Sequence, residues 1–358
     1  MTAMPIHIGI SVGQLTRFDD GLGEVSRQLC LRLAEQAPQL RAEHGIELWI
    51  HLRTTLAGSF GPAVHYLPIT KWQRLSHRQP QRFAIWHTLN QLNKTLPPQG
   101  TGHLLVTVHD LNFFYFKNGF SAWRDLRRTR RLLARTDEVV TISNYVHQDV
   151  CQRMGWHGPM SVIHNGVRNL VDAPHEAVAA LEGRDYLFHL SRLSPSKNVS
   201  AILALAAAWP EQHFVLAGPD GHDSRDVAAR LTARPLANVT LLLSISDAQK
   251  AWLYASCRGF LFPSLTEGFG LPPLEAMYFG KSVFLSRLTS LPEVGGALAH
   301  YFDSFEPAAM RAVIETGWAK DAAPGRAEAV ARHAGHFSWQ RCADQYLALY
   351  LRRLGLRP

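Results

Sequence analysis

Short apolar runs alternate with segments of helical periodicity along almost the entire chain. Uninterrupted apolar runs of about four to eight residues are typical of strands buried on both faces of a sheet. Such runs predict strands over residues 5–12, 46–52, 104–108, 137–142, 160–164, 186–190, 213–217, 239–243, 259–262 and 282–285. Apolar residues at helical spacing predict helices over 24–33, 199–209, 247–256 and 337–354, and a further helix that begins at Leu271. This alternation predicts an α/β protein with parallel, doubly wound sheets.

The length of 358 residues is large for one hydrophobic core, so the sequence predicts two domains. A polar stretch from Arg168 to Arg184 separates two α/β runs. We therefore expect an N-terminal Rossmann-like domain over residues 1–168, a linker over 169–184 and a C-terminal Rossmann-like domain over 185–336. Residues 337–358 follow as an amphipathic terminal helix.

The chain is basic, with 37 lysines and arginines against 29 carboxylates and a formal net charge of +8. Positive charge favours an anionic partner, but nucleic acid, an anionic lipid surface and a phosphorylated small molecule all fit it. The 18 histidines show no HExxH or other metal-ligand spacing, so no metal site is expected.

The cysteines and the apolar runs bear on the compartment. The four cysteines are scattered and form no CxxC pair, which indicates free thiols in a reducing environment. No apolar run reaches the roughly 18 residues of a membrane span, and the N-terminus lacks the pattern of a signal peptide. The sequence therefore predicts a cytoplasmic protein that does not span a membrane.

The stretch 263–280, PSLTEGFGLPPLEAMYFG, has the clearest chemical pattern in the chain. A predicted strand ends before it, a glycine-rich turn follows, and Leu271-Pro-Pro begins a helix, since proline is tolerated in a first helical turn. Free backbone N–H groups at a helix start favour an anion, and the glycines allow it to approach the backbone. Glu267 and Glu275 add two carboxylates eight residues apart. A Pro/Gly connector with two surface glutamates is the alternative interpretation.

The same stretch resembles the EGFGLPxLEAM signature of retaining glycosyltransferases of family 4, which have the GT-B fold. The resemblance implies that Glu267 faces the donor sugar and that Glu275 accepts hydrogen bonds from the nucleotide ribose. It also implies that backbone amides lie against sugar and phosphate at Gly268, Phe269, Gly270 and Leu271. The implied architecture is two facing Rossmann-like domains, with a C-terminal helix that crosses back to the first.

A second element, SRLSPSKN at 191–198, follows the strand predicted at 186–190. It resembles the family's GR-L-xxxKN element, which implies that Arg192 and Lys197 hold the donor diphosphate. The residue types fit this role, because arginine offers a bidentate fork and lysine a mobile point charge. Ser191 replaces the family's glycine, which argues against a close backbone approach there. Two surface charges in a loop are the alternative.

Two motifs follow predicted strands of the N-terminal half. The string GLGEVSRQL resembles the family's glycine pair before a helix, which places Gly21 and Gly23 near the donor phosphates and the acceptor. An ordinary strand-to-helix turn is the alternative. His109 and Asp110 follow the strand at 104–108, where open α/β sheets place ligand chemistry. The family has HDL at this point, which implies that His109 bonds the donor sugar near its primary hydroxyl, or the acceptor. Asp110 is assigned with the two glycines to an acceptor or phosphate loop.

The segment 113–135 combines aromatic residues with an arginine-rich helix. Such a segment fits a surface that faces anionic lipid, which allows peripheral contact with the inner membrane. It fits equally well a solvated helix whose aromatic residues belong to the core. Both interpretations stay open at the level of sequence.

The resemblance implies sugar transfer with retention at the anomeric carbon. No Asp-x-Asp occurs in the chain, so we expect cationic side chains and helix dipoles, rather than a metal, to stabilise the departing diphosphate. No nucleophile is evident, which favours a same-face displacement assisted by the leaving phosphate. Family members with HDL and SLPEV strings often use GDP-mannose, so this donor is favoured over a UDP-sugar, with no further cofactor. The expected acceptor is a saccharide or lipid-linked glycan of cell-surface polysaccharide synthesis.

Two other classes of protein fit parts of the pattern. An epimerase or phosphorylase with the GT-B fold would turn over without a separate acceptor alcohol, but nothing marks a lysine for pyridoxal phosphate. A nucleic-acid-binding protein would interleave basic residues with stacking aromatics, which only the segment 113–135 does. No helix-turn-helix or ribonucleoprotein motif accompanies it, so no nucleic-acid partner is expected.

Overall fold

The structure, a computed structural model, describes residues 4–18, 21–116 and 119–357. The chain divides into two compact units. The first consists of residues 1–166 together with 338–358, and the second of residues 167–337. The polar stretch 169–184 lies within the second unit.

The first unit contains a seven-stranded sheet whose strand pairs are all parallel. Its strands are Ile6–Ser11 (β1), Ile46–Leu52 (β2), His65–Pro68 (β3), Ile85–Thr88 (β4), His103–Val108 (β5), Glu138–Thr141 (β6) and Met160–Val162 (β7). They lie in the order β3-β2-β1-β4-β5-β6-β7, so the strand order reverses between β1 and β4. Open α/β sheets bind ligands outside the carboxyl ends of the strands at such a reversal.

The apolar pattern does not predict β4, although this strand lies at the centre of the sheet. Its sequence, Ile-Trp-His-Thr, places polar side chains in the core. His87 is fully buried, with Nε2 2.8 Å from Thr107 Oγ1 and Nδ1 2.6 Å from the hydroxyl of Tyr350. Hydrogen bonds inside the protein thus replace the hydration of its ring, which lets a partly polar segment form a buried strand.

The helices of the first unit before residue 166 are Gly21–His44 (α1), Phe113–Phe116 (α2), Gly119–Leu133 (α3) and Asn144–Asp149 (α4). The helix α1 is longer than predicted because buried Ala34, Ala37 and Leu40 continue its inner face beyond the predicted end. Ser143, whose residue type is favoured at helix N-caps, caps α4 by accepting a hydrogen bond from the Val146 N–H at 3.1 Å.

The second unit contains a six-stranded, parallel sheet. Its strands are Tyr186–Leu190 (β8), His213–Gly218 (β9), Val239–Leu243 (β10), Gly259–Phe262 (β11), Ser282–Ser286 (β12) and His300–Phe302 (β13). They lie in the order β10-β9-β8-β11-β12-β13, so this strand order reverses between β8 and β11. The doubly wound, parallel arrangement predicted for this half is confirmed.

The helices of the second unit are Val199–Ala208 (α5), His222–Ala233 (α6), Asp247–Ser256 (α7), Leu271–Tyr278 (α8), Leu291–Gly295 (α9), Pro307–Asp321 (α10) and Arg326–Gly335 (α11). One hydrophobic cluster joins helix and sheet, with Ile202 of α5 and Ile314 of α10 packed among Leu216 and Phe284 of the strands. All four side chains are fully buried. The elements that carry the candidate site therefore stand on a rigid core.

The last helix, Trp339–Arg353 (α12), packs against the first unit, which confirms the expected return of the chain. Near its C-terminal end, Arg353 Nε donates to Glu138, a buried carboxylate on β6, at 2.6 Å. At its N-terminal end, a Cβ built at Gly166 would lie 2.3 Å from the backbone nitrogen of Trp339. An ion pair and a close backbone approach therefore fix the two ends of α12.

Among the described residues, no helix is both long and apolar enough to cross a membrane. The cysteines are all free thiols, as predicted: Cys30, Cys151, Cys257 and Cys342. Burial raises the pKa of Cys257 and of Cys342 to about 12, so both thiols are uncharged at neutral pH.

Candidate active site

The strand reversal of the second sheet brings together residues from two predicted motifs. Strands β8 and β11 pair directly, with Leu187 opposite Gly259, so their carboxyl ends lie side by side. Arg192 and Lys197 lie in the loop after β8, and Glu267 lies in the loop after β11. Arg192 is exposed, whereas Lys197 and Glu267 form an ion pair. This is the place at which doubly wound sheets bind ligands.

Glu267 has partners from three segments of the second unit. Its Oε1 pairs with Lys197 and also accepts a hydrogen bond from Ser264 Oγ at 2.7 Å. Its backbone N–H donates to Thr289 Oγ1 at 3.0 Å. The side chains of Lys197 and Glu267 are 15% and 13% exposed, so the pair is sheltered from water but reachable by a ligand.

Glu275 is buried in α8, and both of its carboxylate oxygens have partners. The hydroxyl of Tyr254 donates to Oε2 at 2.9 Å, and Lys250 Nζ donates to Oε1 at 3.2 Å. Burial and the neighbouring carboxylate raise the pKa of Tyr254 well above its ordinary value, so the phenol remains a donor. Lys250 also lies 3.6 Å from Asp247, which accepts two hydrogen bonds from Arg168 at 2.9 Å. Alternating charges therefore hold the Glu275 carboxylate in one orientation.

The glycine-rich turn before α8 has a backbone that favours glycine. Gly270 has a φ of 127°, and Leu271 begins the helix with proline in its first turn, as predicted. Gly268 and Phe269 are buried, and the ring of Phe269 contacts that of Phe337 edge to face at 5.8 Å. The phenyl ring of Phe269 is thus part of the packing, and its backbone carbonyl accepts a hydrogen bond from Ser290 Oγ at 2.6 Å.

The loop after β8 is supported by His189, which the sequence analysis does not single out. His189 Nδ1 donates to the carbonyl of Leu261 at 2.8 Å, so Nε2 accepts the hydroxyl hydrogen of Ser191 at 2.8 Å. Ser191 Oγ in turn accepts the N–H of Leu193 at 2.9 Å. Burial lowers the pKa of His189 to about 4, which keeps the ring neutral. The serine that replaces the family's glycine thus shapes the loop that carries the two predicted cations.

His109 and Asp110 follow β5 in the first unit. His109 Nε2 lies 2.7 Å from the carbonyl oxygen of Leu89, and a carbonyl only accepts, so the ring proton is on Nε2. Burial lowers the pKa of His109, so the ring is neutral and Nδ1 carries a lone pair. Asp110 Oδ1 accepts the N–H of Asn112 at 2.9 Å and closes the turn before α2. His109 is thus built to accept a hydrogen bond, whereas Asp110 shapes its own loop.

The glycines at the start of α1 differ in what surrounds them. A Cβ built at Gly23 would lie 2.7 Å from Phe18 Cα and 3.0 Å from the carbonyl oxygen of Arg17. Among the described residues, a Cβ at Gly21 would meet no atom within 4 Å. Close packing therefore explains glycine at position 23 but not at position 21. The expected contact of either glycine with phosphate or acceptor stays a prediction.

The aromatic residues of the segment 113–135 divide between core and surface. Phe113 is 3% exposed, whereas Phe120 and Trp123 of α3 are 72% and 50% exposed. The rings of Phe120 and Trp123 stack at 5.5 Å, and the Arg127 guanidinium lies 5.1 Å from the Trp123 ring centre. Phe113 thus belongs to the core, and α3 exposes a basic aromatic face, whose contact with a membrane stays a prediction.

Sequence reasoning identifies both glutamates but not the residues that hold them. Lys250 and Tyr254 lie four residues apart on α7, so they share one helix face. In the sequence, the only indication of Lys250 and Tyr254 is that a charged and a hydroxylated residue occur at this spacing on a helix face that is otherwise apolar. Ser264 and Thr289 give no comparable signal, because short hydroxylated residues are common in turns. The described residues contain no group of three or more side chains that could hold a metal ion.

Two family models match the chain, "Glycosyltransferase Family 4" over residues 33–168 and "Glycosyl transferases group 1" over residues 172–303. O-antigen chain mannosyltransferase B from Escherichia coli is 31% identical over 372 residues, which cover 92% of this chain and 95% of that protein. O-antigen chain mannosyltransferase RfbU from Salmonella typhimurium is 25% identical over 54% of this chain and 55% of its own length.

Solved structures resemble the whole chain at low sequence identity. Sucrose-phosphate synthase from Thermosynechococcus elongatus has a TM-score of 0.74 at 18% identity, with 98% of this chain and 99% of that chain covered. HepE from Anabaena, in complex with UDP and glucose, has a TM-score of 0.68 at 18% identity, with 96% and 99% covered. Together with the two parallel sheets, these likenesses confirm the GT-B fold with its two Rossmann-like domains.

Proposed function

Because this chain belongs to glycosyltransferase family 4, we propose that it transfers mannose from GDP-mannose to a saccharide or lipid-linked acceptor, with retention at the anomeric carbon. Support for mannose comes from O-antigen chain mannosyltransferase B, which matches almost the entire chain. The proposal rests mainly on the positions of Lys197, Glu267 and Glu275, which follow the two strands, β8 and β11, between which the strand order reverses. We infer that cell-surface polysaccharide is the product.

Glu275 is assigned to the nucleotide ribose. Each carboxylate oxygen can accept two hydrogen bonds. Tyr254 and Lys250 supply one donor to each oxygen, which leaves capacity for two vicinal ribose hydroxyls. The fixed orientation of the carboxylate means that little side-chain entropy is lost when the nucleotide binds.

Lys197 and Arg192 are assigned to the donor diphosphate. Lys197 pairs with Glu267 in this structure, and a diphosphate offers this ammonium a stronger anionic partner. Arg192 is exposed in the same loop and can add a bidentate contact. When Lys197 contacts phosphate, Glu267 is released to face the sugar, which bears positive charge as the glycosidic bond breaks.

The proposed transfer step is a same-face displacement. The bond between the anomeric carbon and the diphosphate oxygen breaks, and the acceptor oxygen forms its bond on the same face. The acceptor proton passes to the departing phosphate oxygen, so no protein nucleophile is needed. Lys197 and Arg192 stabilise the negative charge that develops on the diphosphate. His109 accepts a hydrogen bond at Nδ1 from a sugar hydroxyl, as its tautomer favours.

If Lys197 and Arg192 stabilise the diphosphate, the transfer reaction should not need a divalent metal ion. Turnover in excess chelator should equal turnover with added magnesium. A strict requirement for a divalent metal would contradict the roles of Lys197 and Arg192. A thermal-shift comparison of GDP-, UDP-, ADP- and dTDP-sugars tests the donor, since ligand at a hundred times its Kd stabilises by about 2.7 kcal/mol.

The central test compares two substitutions. Glu275→Gln should weaken binding of donor and of free GDP by about ten- to a hundredfold, because both carry the ribose and a charge-assisted hydrogen bond contributes about 1.5–3 kcal/mol. Glu267→Gln should leave GDP affinity near wild type and lower turnover, because its partner is the sugar. Calorimetry with GDP and initial rates measure the two quantities.

The outcomes separate the competing interpretations. Loss of GDP binding in Glu267→Gln alone would reverse the two assignments. No change in either variant would leave the stretch 263–280 as a connector. Turnover of a sugar nucleotide without an acceptor alcohol would favour the epimerase, and phosphorolysis would favour the phosphorylase.

We further propose that the exposed face of α3 contacts the inner membrane from the cytoplasmic side, where a lipid-linked acceptor lies. Phe120 and Trp123 supply apolar surface, and the exposed arginines are Arg124, Arg127, Arg130 and Arg131. Each cation contributes about 1 kcal/mol near an anionic surface.

A variant with Arg127, Arg130 and Arg131 changed to Gln tests this contact by vesicle sedimentation. Arg128 is kept, because it pairs with buried Asp125 at 3.4 Å and its loss would perturb the fold. The variant should sediment less than wild type with anionic vesicles, and the difference should shrink in high salt. Equal sedimentation would support a solvated helix.

A further inference from the structure

A long acid-free stretch of the first unit is not used by the proposed function. Residues 48–109 contain no aspartate or glutamate. They contain six lysines and arginines, all exposed: Arg53, Lys71, Arg74, Arg78, Arg82 and Lys94. Four of the six fall between positions 71 and 82, immediately after β3. This segment therefore carries positive charge that no carboxylate of the same stretch neutralises.

The same segment exposes two large apolar side chains. Trp72 and Leu75 are each 76% exposed, so about three quarters of the surface of each residue is in water. They lie three residues apart, one within and one just after a short 3₁₀ helix over Lys71–Arg74. Exposing this much apolar surface is unfavourable for the folded protein alone, so the pair indicates a surface that is covered in use.

The turn that contains Trp72 and Leu75 is held in place by hydrogen bonds of Gln73, the residue after Trp72. Gln73 is 6% exposed and its Oε1 lies 2.8 Å from the Thr70 N–H and 3.0 Å from His51 Nε2. The backbone carbonyl of Gln73 accepts the N–H of Leu96 at 2.8 Å. The turn is thus anchored by side chain and backbone. The exposed pair is held in place rather than left on a loose loop.

The turn lies at the carboxyl edge of the first sheet. It follows β3, and Arg74 Nη2 donates to Gln14, just beyond β1, at 2.9 Å. His109 lies at the same edge after β5, and α3 follows that strand. The turn with Trp72 and Leu75 and the exposed face of α3 therefore both follow strands at the carboxyl edge of the same sheet.

We propose that Lys71, Trp72, Arg74, Leu75 and Arg78 form a docking surface for an anionic lipid bilayer. Trp72 and Leu75 enter the interfacial region, and the three cations contact the headgroups, which is the composition of interfacial anchors. Two apolar side chains are too few for the core of a standard protein interface of about 800 Å² per partner. An exposed leucine does not stack on bases, which argues against nucleic acid.

This inference extends the proposed membrane contact of α3 and does not depend on the transfer reaction. A second contact at the same sheet edge would fix the orientation of the first unit on the bilayer, with the edge that bears His109 towards the lipid. Vesicle binding is measured without any sugar donor, so failure of the proposed transferase activity and failure of this surface are distinguishable.

The test uses the full chain and vesicles of phosphatidylglycerol with phosphatidylethanolamine, compared with phosphatidylcholine alone. Trp72→Ser combined with Leu75→Ser should lower the partition coefficient on anionic vesicles by about tenfold, equivalent to about 1.4 kcal/mol. Lys71→Gln combined with Arg74→Gln should lower it by about fivefold per charge at low salt, and the loss should shrink at high salt. Neither change should alter the Tm, because all four side chains are exposed.

The control replaces exposed apolar residues of the second unit, Leu243→Ser with Leu288→Ser, and should bind as wild type does. Trp72→Phe should retain binding and lose part of the quenching by bromine-labelled lipids, which reports insertion at this position. Wild-type binding by the Trp72 and Leu75 double variant, or equal loss in the control, would overturn the proposal. Displacement of the protein from vesicles by single-stranded DNA, lost in the same variant, would assign the surface to nucleic acid instead.

Discussion

Tyr254→Phe removes one oxygen atom from the candidate nucleotide site and keeps the ring. The hydroxyl donates to Glu275 Oε2 at 2.9 Å, and both residues are buried. The phenyl ring retains the packing of Tyr254 against Phe188 and Phe260, with ring centres 5.2 Å and 5.5 Å apart. The hydroxyl also lies 3.3 Å from the carbonyl oxygen of Pro272, so the substitution removes the polar contacts of this oxygen and retains the packing of the ring.

The magnitude follows from the charge of the acceptor. A hydrogen bond to a charged group contributes about 1.5–3 kcal/mol, and a loss of 1 kcal/mol lowers the Tm of a unit of about 150–250 residues by about 2–4 °C. We expect Tyr254→Phe to lower the Tm of the second unit by about 3–12 °C. If Glu275 binds the ribose, the less rigidly held carboxylate should also weaken GDP binding, by about three- to tenfold.

The matched control is Tyr186→Phe. The hydroxyl of Tyr186 is buried in the same unit and donates to the carbonyl of Leu253 at 3.1 Å, but it does not contact Glu275. Its loss should cost about 1 kcal/mol, as a neutral hydrogen bond does. Thermal unfolding and calorimetry with GDP are measured on both variants. Only Tyr254→Phe should change the affinity for GDP.

Two results would refute this reasoning. Unchanged GDP affinity in Tyr254→Phe, with the expected loss of stability, would show that the Glu275 network is structural only. Equal weakening of GDP binding in Tyr186→Phe would show that general loosening of the unit, rather than the orientation of Glu275, controls affinity.

Three further predictions concern the first unit. Gly23→Ala should destabilise it by about 1–3 kcal/mol in thermal unfolding, because the new Cβ would lie 2.7 Å from backbone; an unchanged Tm would contradict the packing role. Glu138→Gln should cost about 3 kcal/mol in denaturant unfolding, because Arg353 loses its buried partner, and Arg353→Met should restore part of the loss. Burial lowers the pKa of His51 and of His87 from 6.5 to about 3. Between these two pH values the histidines are protonated in the unfolded chain but neutral in the folded one, so acid favours unfolding. Each histidine should therefore remove about 1.4 kcal/mol of stability per pH unit as the pH falls from about 6.5 towards 3, and a flat profile by chemical denaturation would exclude this.

The parts of the site that the sequence predicts are those specified by neighbours in the chain. The strand, turn and helix around Glu267 are marked by Pro263, the glycine at 270 and the prolines after Leu271, whose backbone preferences act locally. The same is true of the cap at Ser143. Local backbone chemistry is readable without knowledge of distant contacts.

The parts that the sequence does not predict depend on partners far away in the chain. The polar strand β4 is stable because His87 meets Tyr350, which is 263 positions away. The support of Glu275 by Tyr254 needs the packing of α7 beside α8, and the pairing of Lys197 with Glu267 joins residues 70 positions apart. Apolar periodicity carries no information about such pairs, since it reports burial and not the identity of the partner.

The two glutamates differ in the elements that supply their charged partners, a helix for Glu275 and a loop for Glu267, and this difference matches the roles proposed for them. The partners of Glu275 are on α7, whose Tyr254 packs against Phe188 and Phe260 of the sheet, so the Glu275 carboxylate is held in one orientation in this structure. The charged partner of Glu267 is Lys197, at the end of a flexible lysine stem in a loop. In the proposed reaction, exchange of the Glu267 carboxylate for a diphosphate at this ammonium would replace one charge-assisted contact by another, so we expect a small net cost. A fixed carboxylate suits a ribose that is present throughout the reaction, whereas a releasable one suits a sugar whose positive charge develops only in the transition state.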